Sequence, residues 1–144
     1  MQGLGLGVDL RHRAGQFHVY FVAYVDDDDK LAINYVDRIL GAIAKTPKAD
    51  CVEFHVSMLL KGKTYIGHCS NRYRDWATAA NGIYERCPNH LSPVRRVHAL
   101  KAGFPDKTVR EDYDYSMGIL PYLKIEAPLS PEPLYFYYPN DGKS

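Results

Sequence analysis

The stretch Cys51–Ser70, CVEFHVSMLLKGKTYIGHCS, consists of two alternating arms around Lys61-Gly62 and predicts a β-hairpin. With those two residues as the loop, Leu60 pairs with Lys63. Counting outward then sets His55 opposite His68 and Glu53 opposite Ser70. Alternation sends Val52, Phe54, Val56, Met58, Leu60, Tyr65 and Cys69 to one side, and Glu53, His55, Ser57, Thr64, His68 and Ser70 to the other. A carboxylate and two imidazoles within reach of a common ion make Glu53, His55 and His68 a candidate metal site. The competing reading is the ordinary polar outer face of an antiparallel sheet. The pairing depends on register, since a slip of one residue would turn every side chain over.

The chain has 144 residues, a length that suits a single domain, 1–144, with a real core. Eighteen basic residues against seventeen acidic ones exclude a grossly basic nucleic-acid binder and leave only local basic patches to consider. Cys51, Cys69 and Cys87 are an odd number without a CxxC spacing, so buried thiols are expected rather than a disulfide framework or a thiolate zinc site. No apolar run of membrane length and no signal-peptide pattern is present, and the expectation is a cytoplasmic protein without a membrane partner. Twelve tyrosines suit strand packing and contact with bases or partners.

Upstream of the hairpin, Val8–Leu10 and Gln16–Val25 read as strands, the second with Phe17, Val19, Phe21, Ala23 and Val25 on one face and His18, Tyr20, Val22 and Tyr24 on the other. The aspartates 26–29 are expected to cap an amphipathic helix in LAINYVDRILGAIAK that ends at Thr46-Pro47. Downstream, Asp75 is expected to cap a second helix, WATAANGIYERC, closed by Pro88. Val94–Leu100 suggests a short strand, and MGILPYLKI (117–125) a helix broken by Pro121 or an edge strand. The core is expected over about 8–126. The proline-rich, aromatic tail 127–144 is expected to pack back on the domain or on a partner. This order predicts an α+β fold: one antiparallel sheet with helices mostly on one face and a ferredoxin-like or RRM-like core. Its free face would hold His18, Tyr20, Tyr24, Glu53, His55 and His68, combining metal ligands with rings on which bases stack.

VDLR (8–11), YVDRILGAI, VEFHVSMLLKGKTYIG, the Trp76 segment and PYLKIEAP together resemble the rolling-circle replication initiators of filamentous phages and plasmids, of the His-hydrophobic-His (HUH) endonuclease class. The resemblance spans roughly 8–126. It implies single-stranded DNA as the partner, a divalent ion (magnesium or manganese) that polarises the scissile phosphate, and a tyrosine that attacks it. Carried onto this chain, it makes Tyr122 the nucleophile with Lys124 beside it, and Glu53 and His55 metal ligands, with His18 or His68 completing the shell. Two departures stand out: Glu53 occupies the place of the family's first histidine, and Lys124 comes one position early. Arg72, Arg74, Arg86, Arg95 and Arg96 are the basic residues placed to meet phosphate, or else a solvated face. Tyr122 in its apolar run has the alternative of a core ring, while His90 and His98 read as loop or surface residues. Tyr113 and Tyr115 are further candidate nucleophiles with acidic neighbours. The rival function is a phage or mobile-element protein without catalysis that binds a host or defence factor through its tyrosine-rich surface. A small-ligand phosphoesterase is disfavoured, because its two histidines belong on separate halves of a fold and here share one hairpin.

Overall fold

Two residues with positive φ close the central hairpin: Lys61 at 49° and Gly62 at 77°. This is the backbone of a tight turn whose twist matches that of its strands. The computed structural model describes residues 3–11, 18–79, 81–103 and 111–138, with side chains within 21–79, 81–103 and 112–138. In chain order the elements are β1 (Gly3–Arg11), β2 (His18–Asp26), β3 (Lys30–Leu31), α1 (Tyr35–Lys45), β4 (Cys51–Val52), β5 (Phe54–Leu60) and β6 (Lys63–Cys69). There follow β7 (Ala77–Thr78), β8 (Tyr84–Arg86), β9 (Val94–Arg95), α2 (Arg96–Ala102), α3 (Glu111–Ile119), a 3-10 turn (Leu120–Tyr122), β10 (Glu126–Ala127) and β11 (Tyr135–Tyr137).

The hairpin β5–β6 has the register expected of it, with His55 opposite His68 and Leu60 opposite Lys63. The fold is α+β, but the expected single antiparallel sheet is replaced by two sheets. One has the order β1-β2-β9-β4-β10 and the other β3-β11-β5-β6-β8-β7. Both are mixed: β10 on β4, β11 on β5 and β8 on β6 run parallel, because each of these short strands returns through a connection too long for a tight hairpin. The chain crosses between sheets at Glu53, where Cys51–Val52 in the first gives way to Phe54–Leu60 in the second.

Two apolar cores flank the first sheet. Phe21, Val52 and Ala127 point to one, where they meet α1 through Tyr35, Ile39 and Ile43, and the second sheet through Phe54, Val56, Cys69 and Tyr135. Cys51, Val94, Val22 and Tyr24 point to the other, against Ala99 of α2 and Tyr115 and Ile119 of α3. Helices therefore cover both faces of the first sheet, and the face of β2 that carries Tyr24 is packed, not free.

Three local expectations are corrected. The segment after Trp76 is the antiparallel pair β7–β8, not a helix, because Asn81-Gly82 turns the chain. Gly82 takes φ 84°, and the Asn81 side-chain oxygen accepts from the Ile83 amide at 3.1 Å. The aspartate run does not cap α1: its N-cap is Asn34 without a side-chain cap bond, and Asp29 instead accepts from the Tyr135 hydroxyl and the Tyr138 amide. Val94–Leu100 is strand for two residues only and continues as α2, whose Ala99 and Ala102 pack on α3 and the first sheet. The run at 117–125 ends α3 at Ile119 and passes through the 3-10 turn at Pro121, close to the helix-broken-by-proline alternative.

The tail belongs to the core. Leu134 and Tyr135 are fully buried, and β11 lies between β3 and β5. Leu134→Ala should therefore lower unfolding stability by about 2–5 kcal/mol, read from the urea midpoint. A loss below about 0.5 kcal/mol, the level of an ordinary surface change, would show that the tail is not core.

Candidate active site at the seam between the sheets

Glu53 sits where one sheet hands over to the other. Its amide donates to the Ala127 carbonyl at 2.9 Å, which fixes the crossover against β10. The side chain is only 12 % exposed, so its charge needs partners. Two share the same oxygen: His68 Nε2 at 2.7 Å and Arg72 Nη2 at 3.0 Å. On the far side of the imidazole, His68 Nδ1 meets the Tyr73 hydroxyl at 2.7 Å.

Tyr73 reaches His68 because a tight turn folds back over the end of β6, with the Tyr73 amide donating to the Ser70 carbonyl at 3.2 Å. Glu126, the first residue of β10, pins that turn by accepting from the Ser70 hydroxyl at 2.8 Å and the Asn71 amide at 2.7 Å. The Asn71 side-chain amide also donates to the Leu123 carbonyl at 3.2 Å. Burial raises the Glu126 carboxyl above its usual range, while these hydrogen bonds pull it back. Burial likewise raises the Tyr73 phenol, so at neutral pH it carries its proton.

His55 lies flat on His68, with ring centres 4.2 Å apart and planes within 9°. Burial, then the neighbouring imidazole, lowers its pKa. Its Nδ1 is buried without a hydrogen-bond partner. Parallel rings aim their in-plane lone pairs side by side, not at one point. Both His68 nitrogens are already bonded, and a guanidinium occupies Glu53. Glu53, His55 and His68 are thus brought together as the hairpin register requires, but as a hydrogen-bonded relay. Among the described residues no three His, Cys, Asp or Glu side chains form a group suited to a metal ion. As arranged, the set does not fit a divalent ion.

The remaining candidates lie elsewhere. Tyr122, 39 % exposed, stacks on His98 at 5.7 Å with Lys101 Nζ 5.1 Å from its ring centre. His98 is itself held by Asp50 at 2.8 Å. The Lys124 amide also donates to Asp50, at 3.0 Å, and its side chain is exposed. Hydrogen bonds to His98 and to the Ile125 and Lys124 amides hold the Asp50 carboxyl below its usual range, against the upward push of burial. Tyr24 meets Tyr115 edge-on at 6.0 Å in the second core, which leaves little of the ring for a base. Arg95 lies over Phe21 and donates to the Ala49 carbonyl, while Arg86 lies between Trp76 and Tyr84. Arg74 and Arg96 are exposed. His18 and Tyr20 belong to β2, and their side chains lie outside the described ones. The expected stacking surface is therefore not assembled around the seam from Tyr24, Arg95 and Arg86, while Arg72 of the predicted phosphate contacts stands in it. Sequence reasoning missed Tyr73 and Glu126. The Ser-Asn-Arg sequence after β6 is a turn signal that would have pointed to Tyr73. Nothing local announces Glu126, which lies 56 residues from Ser70.

Because the folded pKa of His55 is depressed, the unfolded chain binds more protons as pH falls through the ordinary histidine range. Its contribution to stability is complete above about pH 6.5 and lost below it. The urea midpoint of the parent should thus fall from pH 7 to pH 5 by more than that of His55→Gln. Equal falls would mean that the stacked ring is not held neutral. No family model, no curated protein and no solved structure matches this chain.

Proposed function

We propose that the chain acts on single-stranded DNA in a phage or other mobile element, exchanging a phosphodiester for a protein-linked one at the seam site. The observation that carries this is an imidazole held by a carboxylate beside a cation: His68 is oriented by Glu53, and Arg72 reaches the same carboxylate oxygen with its side chain 59 % exposed. An imidazole fixed by a carboxylate is suited to take a proton from a hydroxyl nucleophile. A guanidinium that also faces solvent is suited to the charge of a phosphate. The resemblance to rolling-circle initiators supplies the substrate class and the tyrosine nucleophile. Its ferredoxin-like or RRM-like core and its cytoplasmic setting belong to the same proposal, and the β5–β6 hairpin is the part of the fold that supports it. Magnesium or manganese enters as a variable of the test, because the seam residues are engaged with one another. Among the described residues no helix is long and apolar enough to cross a membrane.

The second reading, a protein that binds a host or defence factor, draws on exposed apolar side chains: Ile33 and Val36 before and on α1, and Val97 and Leu100 on α2. The aromatic residues of the tail are less available to a partner. Tyr135 is buried, and Phe136 and Tyr137 pair within the second sheet.

The two readings separate on incubation with a random-sequence single-stranded DNA pool, with manganese and with chelator. The first expects a covalent protein–DNA adduct that His68→Ala slows by at least about 100-fold, the scale of a lost general base. No adduct from the parent under either condition would reject it in favour of the binder.

A further inference from the structure

We propose that Tyr73 is the nucleophile of the seam site, activated by His68 as general base with Glu53 as the positioning residue. This deepens the reading above and rests on it for the natural substrate. The assignment follows from donor and acceptor chemistry. With Glu53 ionised and the imidazole neutral, the state in which His68 can act as a base, the 2.7 Å contact places the ring proton on Nε2. Nδ1 is then bare and faces the Tyr73 hydroxyl at 2.7 Å, with the phenol as donor. Nucleophile, base and orienter are therefore aligned in one chain of hydrogen bonds, the arrangement that activates weak oxygen nucleophiles. The Tyr73 ring stands edge-on to His68, with centres 5.2 Å apart, and is partly open to solvent. Arg72 and Arg74 flank it in sequence. Tyr122, in contrast, stacks on His98, whose Nε2 is bonded to Asp50.

The step balances without a redox partner. The Tyr73 O–H gives its proton to His68 Nδ1 as the oxygen–phosphorus bond forms, and the bond from phosphorus to the leaving sugar oxygen breaks. The imidazolium then protonates that oxygen. The products are a phosphotyrosine diester and a free sugar hydroxyl. The chemistry suits phosphodiesters and equally a phosphorus centre with another leaving group.

Two arms separate this inference from the substrate reading. In the first, the parent is treated with a fluorophosphonate probe, from which fluoride leaves. The modified residue is mapped with a protease that cleaves at acidic residues, since trypsin would isolate Tyr73 between two arginines. Labelling is expected at Tyr73. It should fall by at least about 100-fold in His68→Ala, and recover in Glu53→Gln, which can still accept from Nε2, relative to Glu53→Ala. In the second arm the DNA adduct is mapped in the same way, with Tyr73→Phe and Tyr122→Phe alongside, all variants checked for an unchanged thermal midpoint. Tyr73 labelled by the probe without any DNA adduct would uphold the nucleophile and overturn the substrate. An adduct that maps to Tyr122, or survives Tyr73→Phe, would overturn the nucleophile and uphold the substrate. A parent whose Tyr73 is labelled no faster than its exposed tyrosines would overturn the inference outright.

Discussion

The buried carboxylate of Glu53 is the constraint around which this site is built. The residue stands between β4 and β5, where the chain steps directly from one sheet to the other, and its amide is committed to the Ala127 carbonyl. The side chain is thereby held at the seam with little access to water. A charge in that place persists only with compensating partners, because its desolvation is uncompensated otherwise. His68 and Arg72 provide them, one from the strand opposite β5 and one from the turn that follows it. Glu126 repeats the pattern one strand further on, where the Ser70 hydroxyl and the Asn71 amide satisfy it. Two carboxylates at the seam thus organise the same four-residue turn from two sides, and the turn carries the phenol.

The central hairpin was legible because its two signals agree. Alternation over seven residues in each strand fixes the faces, and the turn fixes the register, so His55 had to lie opposite His68. The relay was half legible for the same reason: the sequence places Glu53, His55 and His68 together but does not reveal that the imidazoles stack instead of converging. What failed were segments whose local propensity opposes their tertiary setting. WATAANGIYERC carries alanines and a Trp at helical spacing, and Asn81-Gly82 overrides them by supplying the turn that pairs β7 with β8. The rings of the tail suggest packing on the domain or on a partner, but its prolines hide a strand. Its three-residue strand nevertheless has a partner on each side, and Tyr135 reaches back to Asp29 across 106 positions. Such long-range pairing leaves no periodic trace in a sequence.

The aspartate run shows how a single residue can be read correctly in chemistry and wrongly in place. Acidic side chains before a helix suit its N-terminus in general. Here the helix begins at Tyr35, six residues past Asp29, and β3 intervenes. Asp29 finds its donors instead in the tail, at the Tyr135 hydroxyl and the Tyr138 amide. Burial raises the Asp29 carboxyl, and these two donors oppose that rise. The expected cap has become a clamp that ties the last strand to the turn between β2 and β3.

The same alternation that brings the histidines together also removes the thiols from the chemistry. Cys69 follows His68 directly, so its side chain points to the opposite face of β6, into the first core. Burial raises its thiol far above neutral pH, and Cys51 is raised in the same direction by burial and by Glu126 and Asp50. Cys87 is buried too, with Ser116 as its hydrogen-bonding neighbour at 3.3 Å. None of the three meets the imidazole of His68, whose nitrogens face Glu53 and Tyr73. At Cys69 burial outweighs the nearby Arg86 guanidinium, and a thiolate in any of these three places would lack the water that stabilises it. The group that faces His68 Nδ1 is instead an oxygen from outside the strand, the Tyr73 hydroxyl of the turn at 70–73.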